Sequence, residues 1–351
     1  MIDDIKLYRY SIALNRSLRI SSDILTSRSG LILILTDNDN HTGLGEIAPL
    51  PGLHQETIDD CIAQIRSVNQ AGVLQVFSEN DAMTVWSEPL ARLNLFPSVR
   101  FGMQSALLQL TACRQDTSVR SMLSNVLASE VKVNALITDE QDNRKFTRSG
   151  FQTFKVKTGR RPPEQEIAWI KAIYQNLPPG SRLRLDANCG WQLNEAITIC
   201  HRLEGLPVEY LEEPLCDYRE LSLLAEKVSI PIALDENLPK FIGRPIPDWI
   251  AVLVVKPTLF PEITELMQLK KTGKAIVLSD TFQSGVGILM LGELAAALNQ
   301  GGLAMGFDTL NWLSEDILIN RPVIKNGSML LSDKTIPIDD LDRAQLTEIG
   351  L

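Results

Sequence analysis

The chain is predicted to be an α/β protein: a closed (β/α) barrel preceded by a small α+β capping domain. Three observations carry this. First, short β-rich runs recur at residues 131–137, 154–157, 183–186, 208–212, 232–235, 250–256, 275–280 and 304–308. Second, helix-like amphipathic stretches at 164–175, 218–228, 261–272 and 287–299 separate most of them. Third, seven successive runs end in an ionisable residue: Lys157, Asp186, Glu212, Asp235, Lys256, Asp280 and Asp308. Strands alternating with helices pair in parallel, and parallel strands bring all their ends to one rim, where barrels of this kind carry their active sites. An open doubly wound sheet is the other architecture. It usually begins with a glycine-rich turn, whereas Gly285-Val286-Gly287 lacks the third glycine and the chain has no P-loop.

Ahead of the barrel, residues 5–12, 28–35 and 42–46 read as strands, the last two joined by a turn-rich segment that favours an antiparallel hairpin. Residues 15–26 are polar and read as a mobile loop; 48–54 form a second loop leading into a helix with Thr57, Cys61, Ile62 and Ile65 at helical spacing. A further helix is expected over 99–113. These elements form a domain over 1–115, followed by the barrel over 116–315 and a C-terminal segment over 316–351. A ligand contact is open to His54, although a lone loop histidine is more often solvated; His41 lies in a turn and His201 on a helix over 193–203. No two histidines have ligand spacing, so a zinc site or a serine–histidine triad has little support.

The 351 residues are 44% hydrophobic and carry 34 Lys plus Arg against 43 Asp plus Glu, a net charge of −9. That balance argues against nucleic acid or an anionic membrane as the main partner and leaves a small-molecule substrate. No apolar run reaches membrane-spanning length, and the acidic start Met1-Ile2-Asp3-Asp4 lacks the apolar core of a signal peptide. Five cysteines form no C-x-x-C pair, which suits reduced thiols and a cytoplasmic location. Oligomeric state has no signature in the sequence.

In Phe154-Lys155-Val156-Lys157 the side chains alternate, so the two lysines share one face. Neighbouring ammonium groups repel, and burial adds to that. Both effects lower a lysine pKa toward values useful for proton abstraction. The plain alternative is a polar face on an exposed strand. Asp186, Glu212 and Asp235 come from three consecutive strand ends, and three carboxylates brought together call for a cation; an all-oxygen set selects a hard one, Mg²⁺ above all. With Lys155 and Lys157 on one side and Lys256 on the other, such a site suits proton abstraction beside a carboxylate. Structural ion pairing among the same groups is the competing account.

These residues, as Lys155-Val156-Lys157, Leu185-Asp186-Ala187-Asn188, Leu211-Glu212-Glu213-Pro214, Leu234-Asp235-Glu236 and Val255-Lys256-Pro257-Thr258, resemble the successive barrel motifs of the enolase superfamily, muconate-lactonising subgroup. The resemblance runs nearly end to end and includes Arg28-Ser29-Gly30-Leu31, the stretch from Gly43 to Gly52, and Gly306-Phe307-Asp308-Thr309-Leu310. It implies a barrel of the enolase type, with a cap built from the N-terminal third plus C-terminal residues and sealed by loops 15–26 and 48–54. It implies Mg²⁺ held by Asp186, Glu212 and Asp235. Lys157 would be the base, Lys256 the cation on the opposite face, and Lys155 would keep the Lys157 pKa low. Ser279, Thr281, Asn188 and Arg184 would contact a carboxylate substrate. The implied reaction is dehydration of a succinyl-hydroxycyclohexadiene carboxylate. Racemisation or epimerisation of acylated amino acids or dipeptides is the alternative on the same scaffold, and a non-catalytic carboxylate-binding barrel the remote one. Asp280 and Gln283 depart from the family pattern after the seventh strand, and Asp308 is the one aspartate read after the eighth.

Overall fold

The computed structural model describes residues 1–20, 23–74, 90, 92–125, 128–139, 150–259, 262–298 and 302–351. In the capping region β1 (Ile2–Ile20), β2 (Asp23–Asp37) and β3 (Thr42–Ile47) pair antiparallel. The C-terminal β14 (Thr347–Ile349) adds to the outer edge of β1, so both ends of the chain share one sheet. Consecutive residues of β2, Leu31, Ile32, Leu33, Ile34 and Leu35, are all buried, so both faces of this central strand are covered. Helix α1 (Ile58–Gln70) opens on a capping box between Thr57 and Asp60. Helix α2 (Pro97–Arg114) lies directly on β3: a Cβ at Gly45 would stand 1.9 Å from the Gly102 carbonyl oxygen, so this packing requires glycine.

The polar stretch expected as a mobile loop is instead the far end of the β1–β2 hairpin. Its register is Leu18↔Leu25, Arg19↔Ile24 and Ile20↔Asp23, after an irregularity between Ala13 and Leu18. Residues 21–22 lie outside the described residues. Leu18 joins Leu50 and Trp312 in an apolar cluster, and Arg16 sits 3.2 Å above the Trp312 ring. Hydrogen bonds from Ser314 N to Ala13 O (2.9 Å) and from Asn15 to the Asn311 and Leu313 carbonyls fix this hairpin to the barrel.

Beyond the short α3 (Val119–Leu123), the chain enters the barrel. Strands β5 (Ala135–Ile137), β6 (Thr153–Lys157), β7 (Arg182–Asp186), β8 (Val208–Glu212), β9 (Ile232–Leu234), β10 (Ile250–Val255) and β11 (Ala275–Leu278) are parallel and adjacent in sequence order. Residues 304–306 close the ring. Gly306 N donates to Leu278 O (2.8 Å) on one side, and Met305 N to Lys132 O (2.7 Å) on the other. Helices α4 (Pro163–Gln175), α5 (Leu193–Arg202), α6 (Leu221–Lys227), α7 (Ile263–Leu269) and α8 (Gly285–Leu298) fill the crossovers. The first expected strand, 131–137, divides in two. β4 (Glu130–Lys132) joins a small antiparallel sheet with β13 (Ser328–Leu330) and β12 (Ile324–Lys325), and only β5 enters the barrel. Residues 261 and 299, at the ends of two expected helices, lie outside the described residues. No helix among the described residues is long and apolar enough to cross a membrane.

Glu46 and Arg28 are two of the buried side chains that join cap to barrel. The Glu46 carboxylate, at the end of β3, accepts from Ser284 N (2.9 Å), Ser284 Oγ (2.7 Å) and Gly287 N (2.7 Å) at the start of α8, and from the Tyr10 hydroxyl. A carboxylate at a helix N-terminus meets unpaired N–H groups and the positive end of the dipole. The Arg28 guanidinium donates to carbonyls of Ser29, Ala48 and Pro49 in the cap and of Thr281 and Phe282 in the barrel.

Candidate active site

Register places the charged residues side by side. Lys157 of β6 pairs with Asp186 of β7, and Asp186 with Glu212 of β8, while Asp235 and Lys256 directly follow β9 and β10. Phe154 and Val156 alternate with the lysines and are fully buried on the opposite face of the strand. Asn188, Cys189 and Glu213, immediately after β7 and β8, adopt left-handed φ values of 44°, 60° and 40°. Such backbone costs roughly 1–3 kcal/mol per residue and persists where surrounding contacts enforce it. Here Glu213 supplies some of them: its Oε1 accepts from Asp235 N and Asn237 N, both at 2.7 Å, and its Oε2 from Asn237 Nδ2 at 2.6 Å.

The lysines bridge the carboxylates. Lys155 Nζ lies 2.6 Å from Glu212 Oε1 and 2.8 Å from Asp186 Oδ2; Lys157 Nζ lies 2.6 Å from Asp186 Oδ2; Lys256 Nζ bonds Asp235 Oδ2. Burial alone would raise the Asp186 carboxyl, but Lys155 and Lys157 override it and hold it well below the usual carboxylate range. Glu212 moves the other way, pushed up by burial and by the charge of Asp186. For Lys155 and Lys256, burial acts to lower the pKa, yet the facing carboxylates win and both are raised. The expected mutual depression of neighbouring lysines is therefore overturned at Lys155. Attraction to two carboxylates within 3 Å outweighs repulsion by a second ammonium group.

A cavity of about 130 Å³ opens above these groups. Lys155, Lys157, Asp235 and Lys256 line its base, Leu50 and Leu53 of the cap roof it, and Ser279 and Thr281 form part of its wall. Thr281 Oγ1 is already engaged by Thr258 (3.0 Å) and Gln283 (2.8 Å). Asn188 meets the second lysine: its Oδ1 accepts from Lys157 Nζ (2.9 Å) and its Nδ2 donates to Glu236 Oε1 (2.9 Å). Arg184 is fully buried one layer below Asp186, bonded to Glu209, Asn134 and the Ala304 carbonyl, and does not reach the cavity. His54, expected in solvent, is buried. Its Nδ1 accepts from Leu50 N (3.0 Å) and its Nε2 faces Thr258 O (3.3 Å), a pattern that requires the neutral ring and ties the roof to the barrel. Burial lowers its pKa accordingly.

Loop 48–54, read as sealing the site, supplies the roof leucines, although nothing in the sequence marks Leu50 and Leu53 individually. Asp280, read at the end of the seventh strand as a departure from the family pattern, lines the same cavity as Asp308. Among the described residues, Cys189, Glu213 and Glu236, and separately Asp37, Asp39 and His41, bring ligand atoms within 4.8 Å of one another; Asp186, Glu212 and Asp235 do not form such a group, and the Lys155 and Lys157 ammonium groups sit against the first two.

Residues 139–335 match the family described as "Enolase C-terminal domain-like", and residues 2–110 the family described as "MenC, N-terminal domain". The chain is 30% identical to the o-succinylbenzoate synthase of Thermosynechococcus vestitus, over 88% of this chain and 93% of that protein. It is 28% identical to the enzyme of the same name from Pasteurella multocida, over 100% and 99%. It is also 28% identical to Protein PHYLLO, chloroplastic, of Arabidopsis thaliana, over 91% of this chain but only 22% of that much longer protein. Among solved structures, the L-Ala-D/L-Glu epimerase from Bacillus subtilis superposes with a TM-score of 0.82 at 19% identity, covering 95% and 97% of the two chains. A dipeptide epimerase from Cytophaga hutchinsonii superposes at 0.84 and 20%, covering 99% of each. The chain belongs to the enolase superfamily and, within it, to the o-succinylbenzoate synthase family.

Proposed function

We propose that this member of the family is a lyase catalysing Mg²⁺-dependent syn-dehydration of 2-succinyl-6-hydroxy-2,4-cyclohexadiene-1-carboxylate to o-succinylbenzoate, on the way to menaquinone or phylloquinone. One observation supports the chemistry: Lys157 ends the second and Lys256 follows the sixth of eight barrel strands, both line one cavity, and they are bonded to the buried carboxylates Asp186 and Asp235 respectively. The donor set fits a hard divalent cation. Asp186, Glu212 and Asp235 are all at least nine-tenths buried, and Glu212 Oε2 has no hydrogen-bond partner among the described residues. Those three residues would hold the ion, which supplies positive charge against which a substrate carboxylate can become more negative. Lys157 takes the proton from the carbon α to the ring carboxylate and returns it to the departing hydroxyl on the same face. The C–H and C–O bonds break, a ring double bond forms, and water leaves. Lys256 keeps its proton and offers its charge to the opposite face.

Wild-type protein with Mg²⁺ should bleach the cyclohexadiene absorbance, and Lys157→Ala should lose at least about 10³-fold in kcat while still binding product. Loss of absorbance at equal rates in both proteins would sink the assignment. A second reading, epimerisation of dipeptides, is favoured by the Asp280–Asp308 pair, since two carboxylates suit an ammonium group. Solvent deuterium incorporation at a dipeptide α-carbon, with no bleaching of the diene, would establish it instead.

A further inference from the structure

Asp280 sits at the rim end of the seventh strand with only 6% of its surface exposed. Its Oδ2 accepts from the Thr309 hydroxyl and from Phe282 N (3.1 Å). Its Oδ1 is buried with no hydrogen-bond partner among the described residues, on a side chain that lines the cavity. An ionised carboxylate so placed would leave a buried anionic oxygen unsatisfied, a costly arrangement. A neutral carboxyl fits. One oxygen takes both donors, and the other is a hydroxyl that lacks only an acceptor.

The surrounding charges are consistent with this. Asp308, after the eighth strand, adds negative charge beside Asp280. Arg28 of β2 approaches from the cap, but its guanidinium is spent on backbone carbonyls. Lys155, Lys157, Lys256 and Asp235 line the same cavity, and each of these lysines is paired to a carboxylate other than Asp280. The cap residues at this cavity, Leu50 and Leu53, carry no charge.

We propose that Asp280 is a subsite for the second carboxylate of a dicarboxylate substrate, held as a neutral acid whose Oδ1 hydroxyl donates a hydrogen bond to that group. The inference rests on the dehydratase reading above and names how that site receives the carboxylate at the end of the succinyl arm. Burial, reinforced by Asp308, pushes the Asp280 carboxyl up to about 7 even though Thr309 and Phe282 act to lower it. The donor is then present in acid and lost as pH rises. An anionic Asp280 would instead repel the same carboxylate.

The test follows KM and kcat for the cyclohexadiene dicarboxylate from about pH 6 to about pH 8.5, in wild type, Asp280→Asn and Thr309→Val. Wild-type KM should rise by up to about tenfold per pH unit above a midpoint near neutrality, a rise absent from kcat. Asp280→Asn keeps a donor and an acceptor without titrating, so its KM should stay flat near the acid-limb value of the wild type. Thr309→Val removes a hydrogen bond that favours the anion and should move the midpoint to higher pH. A KM that is high at every pH in Asp280→Asn, or a pH dependence that persists in it, would overturn the proposal. Calorimetric proton uptake on binding o-succinylbenzoate gives a readout independent of turnover. Uptake by wild type and none by Asp280→Asn, without turnover of the diene, would retain the subsite and remove the dehydratase reading. Turnover without any Asp280-dependent uptake would do the reverse.

Discussion

At the level of single residues, the site is decided by which charge sits nearest which. Lys155 contacts both Glu212 and Asp186, and all three are at least nine-tenths buried. Removing the ammonium group in Lys155→Met leaves two buried carboxylates, one already pushed up by burial and by its neighbour. Loss of one partner of a buried ion pair costs about 3–5 kcal/mol. The variant should show that loss in urea unfolding in chelator, and a clearly smaller one in saturating Mg²⁺, because a cation on the same carboxylates compensates their charge. Equal losses in both conditions would mean that these carboxylates are not where the ion binds. The positions of the three lysines and three carboxylates were legible in the sequence because strand periodicity fixes the face and parallel pairing fixes the rim. The direction of the lysine shifts was not legible, since it depends on distances across strands. Arg184 shows a related limit: it shares a face with Asp186, yet two residues along a strand is one layer down, where it meets Glu209 and not a ligand.

At the level of elements, the hairpin end of β1–β2 is instructive. Leu14, Leu18 and Ile20 keep a period of two that would have announced a strand, but Arg16 interrupts it. The interruption is a stacking contact: Arg16 covers Trp312, which in turn meets Phe282 edge-on at 5.4 Å. A charged residue on an apolar face reads as loop until its aromatic partner is known. The β3–α8 joint is a second case, invisible locally because Glu46 and Ser284 are 238 residues apart. Glu46 takes the place of a capping residue for α8, and a Cβ at position 287 would lie 2.6 Å from its Oε2, so glycine there lets the carboxylate approach. Glu46→Ala strips acceptors from Ser284, Gly287 and Tyr10 at once. It should cost about 3 kcal/mol or more in chemical unfolding, well above the loss of an ordinary cap. A loss under about 1 kcal/mol would show that water replaces the carboxylate and that the joint is not buried in solution.

At the level of the whole molecule, the cavity exists only because two regions of the chain are held together: the barrel supplies lysines and carboxylates, and the cap supplies Leu50 and Leu53. Arg28 spans them beside this cavity, with cap carbonyls of Ala48 and Pro49 on one side and barrel carbonyls of Thr281 and Phe282 on the other. The planar guanidinium reaches these divergent acceptors from one buried position; a lysine ammonium group, with three donors on a single nitrogen, does not. Arg28→Lys keeps the charge and most of the volume, so its effect isolates geometry. Because Thr281 and Phe282 directly follow Asp280, and Ala48 and Pro49 precede the roof leucines, loosening this one group should open roof and wall together. The expected result is a rise in KM of about tenfold or more with a smaller change in kcat, accompanied by faster amide hydrogen exchange over residues 48–54 and 280–284 than in the rest of the barrel. If exchange quickens evenly across both regions, Arg28 contributes to global stability alone. If it quickens in the loops while KM stays unchanged, the roof does not contact the substrate, and the cap serves stability more than recognition.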